Sequence, residues 1–181
     1  ALEHACEHML IHRDIKPGNI LLTQRGDVKL ADLGLSKSLE ETAVGGARGI
    51  HAGVLYMAPE LAKTPQLADC RSDIYALGIV LFEALTGKPP FQGPTVADLM
   101  NQHASAALPS VRKLAPSVPE DVDALVRKMC AKDPADRFQT HGELLERLEG
   151  MLRGTGAKLI RLVEGCDTAE RPKRSVNWMP W

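Results

Sequence analysis

The chain of 181 residues sets 22 Lys and Arg against 23 Asp and Glu, a formal net charge of −1 with a pI near 6.7. That balance creates no long-range field to gather nucleic acid or an anionic membrane, which leaves protein and small-molecule partners. An apolar share of 44% supports one globular core, so the bound is one domain and a tail.

Residues 1–9 are rich in helix formers and run into Leu10-Ile11, which predicts the last turns of a helix entering a short strand. Ile20-Leu21-Leu22 and Val28-Lys29-Leu30 flank Thr23-Gln24-Arg25-Gly26-Asp27, so they read as a small hairpin with its glycine in the turn. Residues 35–56 show no helical or strand period and hold Gly45, Gly46, Gly49 and Gly53, which predicts a mobile loop. Apolar positions crowd every face of a helical period over 72–86, the mark of a buried helix, and Gly87-Lys88-Pro89-Pro90 stops it. A short amphipathic helix is expected over 95–102, then a long connection over 103–116. The next helix, over 119–130, has acids in its first turn and Arg127 and Lys128 near its end, as the helix dipole favours. Thr140-His141-Gly142-Glu143 is a capping box that starts the last helix, expected to reach about Arg153.

From 154 on the composition changes, and 154–181 reads as a tail without stable structure. Its Trp178 and Trp181 are candidates to dock on the domain or a partner. The longest apolar run, 74–82, stops at Glu83, far short of a membrane span. Cys6, Cys70, Cys130 and Cys166 are too widely spaced for a CxxC metal or redox pair, and no signal-peptide pattern is seen, so the expected setting is reducing and cytoplasmic.

Chemistry concentrates in His12-Arg13-Asp14-Ile15-Lys16-Pro17-Gly18-Asn19, followed by Asp32-Leu33-Gly34 and then Met57-Ala58-Pro59-Glu60. In order and spacing these resemble the catalytic loop, the magnesium-binding Asp-Phe-Gly position and the Ala-Pro-Glu motif of protein kinases. The resemblance is to the serine/threonine kinases, closest in texture to bacterial ones of the eukaryotic-like type, and it covers residues 1–153. It implies an α+β fold, mainly α, of the large C-terminal lobe with a small β-hairpin.

What the resemblance implies for single residues follows. Phosphoryl transfer asks the protein to place a hydroxyl in line with the γ-phosphate of ATP and to neutralise charge. Asp14 is then the catalytic carboxylate that orients the substrate hydroxyl and takes its proton, and Lys16 meets the γ-phosphate. A lysine there is the serine/threonine pattern. Asn19 and Asp32 are the Mg2+ ligands, hard oxygens of the type that cation requires. Leu21 forms the adenine floor. Glu60 should pair with Arg137, and Asp73 should accept hydrogen bonds from the backbone near His12 and Arg13. Arg13 resembles the kinases whose loop is ordered by phosphorylation, with Thr42 the expected site and Arg13 and Arg48 its cation partners.

Departures from the family pattern set further expectations. Only residues 1–11 precede the catalytic loop, with no glycine-rich loop, small-lobe lysine or partner glutamate. The small lobe is expected to be absent and the chain inactive by itself. Leu33 keeps an apolar side chain where phenylalanine is usual. Gly53 stands where the family carries a threonine, so no hydroxyl bridges Asp14 and Lys16. The alternative expectation is a pseudokinase-like or truncated scaffold that binds a partner. His4-Ala5-Cys6-Glu7-His8 also matches the H-x-x-E-H zinc pattern, but without a visible third ligand its histidines read as ordinary polar helix residues. Gly154-Thr155-Gly156-Ala157-Lys158 lacks the spacing of a phosphate loop and reads as linker.

Overall fold

Seven α-helices, three short 3-10 helices and one β-hairpin make up the described regular structure in a computed structural model that describes residues 1–32, 52–63 and 69–155. The helices are α1 (Leu2–Glu7), α2 (Pro59–Lys63), α3 (Cys70–Thr86), α4 (Val96–Ser105), α5 (Val111–Leu114), α6 (Glu120–Met129) and α7 (His141–Thr155). Strands β1 (Ile20–Leu22) and β2 (Val28–Leu30) pair antiparallel with Leu21 opposite Lys29. Mainly helical with a two-stranded sheet is therefore the observed class. The chain divides into two compact units, Ala1–Leu145 and Glu146–Trp181. Of the second unit the described part is the end of α7, where Arg153 pairs with Glu149 at 3.6 Å.

Helix α3 forms the core because it is apolar on every side, and Ile74, Tyr75, Ile79 and Phe82 are completely buried. Its ends follow from local chemistry. Asp69 accepts from the Arg71 N–H at 2.9 Å as N-cap, and Gly87 takes the left-handed conformation, φ 80°, that a side chain resists. Gly78 lets α6 approach closely, since a Cβ there would lie 2.6 Å from Cys130 Sγ and 2.8 Å from Met129 Cβ.

Local signals place most boundaries. The hairpin turns at Gly26 with φ 84°, and Thr95 caps α4 by accepting from the Asp98 N–H at 3.1 Å. Thr140 caps α7 in the same way, through the Glu143 N–H at 3.0 Å, while Glu143 reaches back one residue further than a capping box does, to the Gln139 N–H at 2.7 Å.

Three expectations need correction. No strand forms at Leu10-Ile11, because α1 ends in a tight left-handed turn. Met9 has φ 56° and donates to Cys6 O, while the Leu10 N–H donates to Ala5 O, so the chain turns away before it can extend. Residues 52–56 are a 3-10 helix, although 35–56 reads as a loop. The connection over 103–116 is interrupted by α5, and α4 runs on to Ser105. The reason is Asp123 of α6, whose Oδ1 accepts from the Val111 N–H at 2.7 Å and the Ser110 hydroxyl at 3.0 Å. Expectations for Leu33, Thr42, Arg48 and the two tryptophans lie outside the described residues.

His103 is wholly buried on α4, its ring edge-on to Phe91 and Tyr75. The Tyr75 hydroxyl donates to Nδ1 at 2.8 Å, and Lys132 Nζ donates to the His103 carbonyl at 2.7 Å. Burial, and then the Lys132 cation, push the imidazole from its ordinary 6.5 down to about 4. The folded state thus holds it neutral where the unfolded chain protonates it. Its share of stability is complete above pH 6.5 and is lost as pH falls towards 4. At pH 5 the loss should be about 2 kcal/mol, because each pH step below the unfolded value weakens the fold by about 1.4 kcal/mol. Urea unfolding at pH 7 and pH 5 measures it, and His103→Gln should flatten the dependence. Equal pH dependence in parent and variant would assign the effect to other groups.

Candidate active site

The segment from His12 to Asn19 is positioned by α3 rather than by its own conformational preference. Asp73 lies in the first turn of that helix, nearly fully buried, and its two oxygens accept from the His12 N–H at 2.8 Å and the Arg13 N–H at 2.9 Å. These bonds support Arg13 in the left-handed region, φ 62°, where a non-glycine residue is strained. Burial raises the Asp73 carboxyl above its ordinary value even though both amides, and the His12 and His141 rings, pull it down.

His12 is buried to 1% exposure and reads both sides of the segment. Its Nε2–H donates to Ala31 O at 3.0 Å, and its Nδ1 accepts from the Asp14 N–H at 3.3 Å. Ile15, 2% exposed, anchors the next turn in the core. Between these anchors Asp14 and Lys16 are held part-way to solvent, with Lys16 Nζ 2.7 Å from Asp14 Oδ2. Asn19 is buried, and its Nδ2 donates to Asp14 O at 2.7 Å and to Asp14 Oδ2 at 3.1 Å. That use of the amide nitrogen leaves Asn19 Oδ1 as the oxygen a cation could take. One carboxylate, one ammonium and one amide are thus brought together.

Asp32 is reached by a separate route. The Ala31 N–H donates to Asn19 O at 2.9 Å, which sets the hairpin exit beside the loop, and Asp32 follows with φ 57° and an exposed carboxylate. Asn19 Oδ1 and the Asp32 carboxylate are hard oxygens, the donor type that magnesium takes. Leu21 lies on β1 with half its surface exposed, an apolar side chain without cover among the described residues.

Gly53 contributes its lack of a side chain. A Cβ at this position would meet Asp14 Oδ1 at 3.0 Å, tighter than ordinary contact, so the 3-10 turn of 52–56 approaches the carboxylate because glycine is there. Behind it Val54 and Tyr56 are buried, and the Tyr56 hydroxyl donates to Glu83 Oε2 at 2.6 Å. Burial, then the Glu83 carboxylate, raise the Tyr56 hydroxyl well above its ordinary value.

Glu60 of α2 and Arg137 make a double ion pair, with Nη1–Oε1 at 2.7 Å and Nη2–Oε2 at 2.8 Å. It secures the segment after the 3-10 turn against the chain before α7. The family profile described as the protein kinase domain matches residues 1–147. The chain belongs to the protein kinase family. Among the similar proteins of this family, the serine/threonine-protein kinase PrkC of Bacillus subtilis is 42% identical over 140 residues, covering 77% of this chain and 22% of its own length. The probable serine/threonine-protein kinase PknB of Lactococcus lactis is 39% identical over 145 residues, 80% of this chain and 23% of its own. The serine/threonine-protein kinase PknB of Mycolicibacterium smegmatis is 38% identical over 168 residues, 91% of this chain and 25% of its own. The chain therefore spans about a quarter of the length of the curated relatives it matches.

Among the described residues, two further groups of polar side chains converge outside the kinase motifs. His4, Glu7 and His8 of the H-x-x-E-H match do converge, but all three are exposed, and His8 Nδ1 is already bonded to His4 O at 2.8 Å. The convergence of Cys6, Cys70 and His141 is invisible in the sequence, because none of the three stands within a motif-length spacing of another. No described helix is long and apolar enough to cross a membrane.

Proposed function

We propose that this chain carries the catalytic segment of a serine/threonine protein kinase that transfers the γ-phosphate of MgATP to a protein Ser or Thr hydroxyl. The observation that carries the reading is the meeting of Asp14, Lys16 and Asn19 on a backbone held by Asp73. Asp14 orients the substrate hydroxyl and receives its proton as the oxygen attacks the γ-phosphorus and the bond to ADP breaks. Lys16, 2.7 Å from Asp14 Oδ2, sits where one cation serves both that carboxylate and the transferred phosphoryl group. Asn19 and Asp32 would hold the magnesium, which when bound neutralises phosphate charge. Leu21 offers its exposed apolar side chain to the adenine.

The proposal includes three finer points. Residues 1–153 form the large lobe and 154–181 a tail. The setting is cytoplasmic, in keeping with the free thiols of Cys6, Cys70 and Cys130. The 181 residues alone are inactive, since this sequence contains neither a glycine-rich loop nor a small-lobe lysine to grip the phosphates.

The test is transfer of labelled γ-phosphate from MgATP to mixed Ser/Thr and Tyr peptides by the polypeptide of the complete reading frame. Phosphoserine and phosphothreonine are expected; no transfer, or label on tyrosine alone, would sink the reading. Gly53 favours one second reading, a protein-binding scaffold, because no hydroxyl can bridge Asp14 and Lys16 from that position. MgATP binding without transfer would decide for the scaffold.

A further inference from the structure

Three ligand atoms from distant parts of the sequence converge outside the catalytic segment. The Sγ of Cys6 on α1, the Sγ of Cys70 at the start of α3 and a ring nitrogen of His141 at the start of α7 lie within 4.8 Å of one another. His141 is 8% exposed, and both its ring nitrogens are buried without a hydrogen-bond partner among the described residues. An orphaned buried polar atom costs about 1–3 kcal/mol, so a native imidazole with two of them implies an absent partner. The Cys70 thiol makes a long contact to Gln139 O, at 3.6 Å, and is hydrogen-bonded to the Cys6 thiol, which already brings the two sulfurs together.

We propose that Cys6, Cys70 and His141 form a zinc site. Two sulfurs and one imidazole are a donor set that zinc prefers over the hard cations of the phosphotransfer site. A disulfide between the cysteines would leave both His141 ring nitrogens unsatisfied, whereas zinc takes both sulfurs and one of those nitrogens. In tetrahedral zinc, Zn–S bonds of about 2.3 Å put the sulfurs about 3.8 Å apart, so atoms already within 4.8 Å need only small side-chain rotations. Both cysteines are half-buried, which leaves an entry path and a fourth position for water. On binding, each S–H bond breaks, its proton passes to solvent and a Zn–S bond forms. His141 donates a ring lone pair, and nothing is oxidised or reduced.

The placement gives the metal a role. Cys70 stands one turn before Asp73 on α3, and residues three apart share a helix face. Zinc would therefore join α1, α3 and α7 beside the carboxylate that holds the His12 and Arg13 amides. The exposed His4, Glu7 and His8 group has no orphaned buried atom and is a separate feature.

The test uses the reduced, metal-free 181-residue chain, titrated with Zn2+ in competition with a chromogenic chelator and, separately, with Co2+. One equivalent of zinc should bind and raise the melting temperature, and cobalt should show thiolate charge-transfer bands with intense tetrahedral ligand-field bands. Cys6→Ser and His141→Asn should each weaken zinc at least about tenfold, the scale on which a lost metal contact is felt. His4→Ala with His8→Ala should bind as the parent does. The proposal is overturned by no uptake in the parent, by a weak octahedral cobalt spectrum, by unchanged affinity in Cys6→Ser, or by loss of binding in the His4/His8 variant. The parent's cobalt spectrum needs no variant to fold, so it decides by itself.

Discussion

Replacing Glu60 by alanine should lower the melting temperature by about 6–20 °C, because it strands a charge that the fold has sealed from water. The Arg137 side chain is 0% exposed, and its five N–H donors are all used. Two go to the Glu60 oxygens, and one each to the carbonyls of Arg71, Ala131 and Lys132 at 3.0, 2.8 and 3.1 Å. The guanidinium also lies 4.8 Å from the Tyr75 ring centre. Ser72 donates to Glu60 Oε1 at 2.8 Å, so the carboxylate too is satisfied. Burial alone would raise the Glu60 carboxyl, but Arg137 outweighs it and holds the group below its ordinary 4.5. That contribution is present above pH 4.5 and is lost as pH falls through the lower folded value.

Breaking a buried pair from one side costs about 3–5 kcal/mol, and in chains of this size each kcal/mol moves melting by about 2–4 °C. The double variant Glu60→Leu with Arg137→Met should cost clearly less than the two single changes added together, since it leaves no lone charge. Calorimetric melting of the four proteins checks both statements. A single variant within about 1 kcal/mol of the parent, or an additive double, would show that the pair is solvated in practice.

Asp14→Asn and Asp73→Ala should separate chemistry from support. If Asp14 takes the substrate proton, the amide should lower phosphotransfer by about 10²–10⁴-fold, the range for a lost general base. It keeps the side chain's shape, so melting should hardly change. Asp73→Ala should lose activity and also roughly 2–4 kcal/mol of stability. It removes the acceptor of two amides, a loss partly offset because burying that carboxylate is itself unfavourable. The Arg13 backbone at φ 62° would lose its restraint at the same time. Rate assays in the complete polypeptide and urea melts of both variants give the answer. Equal melting for the two, or an Asp14→Asn enzyme of undiminished rate, would refute the division of roles.

What the sequence determined by itself was what depends on residues a few positions apart. The caps at Thr95 and Thr140, the stop at Gly87 and the turn at Gly26 are each set by one side chain meeting a backbone group two to four residues away, or by a φ that only glycine takes easily. The motif from His12 to Asn19, with its later aspartate and Ala-Pro-Glu, was legible for the same reason, and the resemblance it carries supplied the Asp73 and Arg137 partners. What only the tertiary structure decided was what depends on distant chain segments meeting. Helix α5 exists where Asp123 caps it from α6, and no strand follows α1 because Met9 and Leu10 fold back onto Ala5 and Cys6. Gly53 reads in sequence as a missing hydroxyl, while the fold brings Asp14 Oδ1 to 3.0 Å from where its Cβ would stand, a tight contact. His103 falls in sequence at the start of an expected connection and His141 within a capping box, and neither position shows that packing closes over the ring; two cysteines and the His141 ring become neighbours only when α1, α3 and α7 converge. Burial and convergence are properties of the packed chain, since desolvation and ligand geometry depend on side chains that no local window contains.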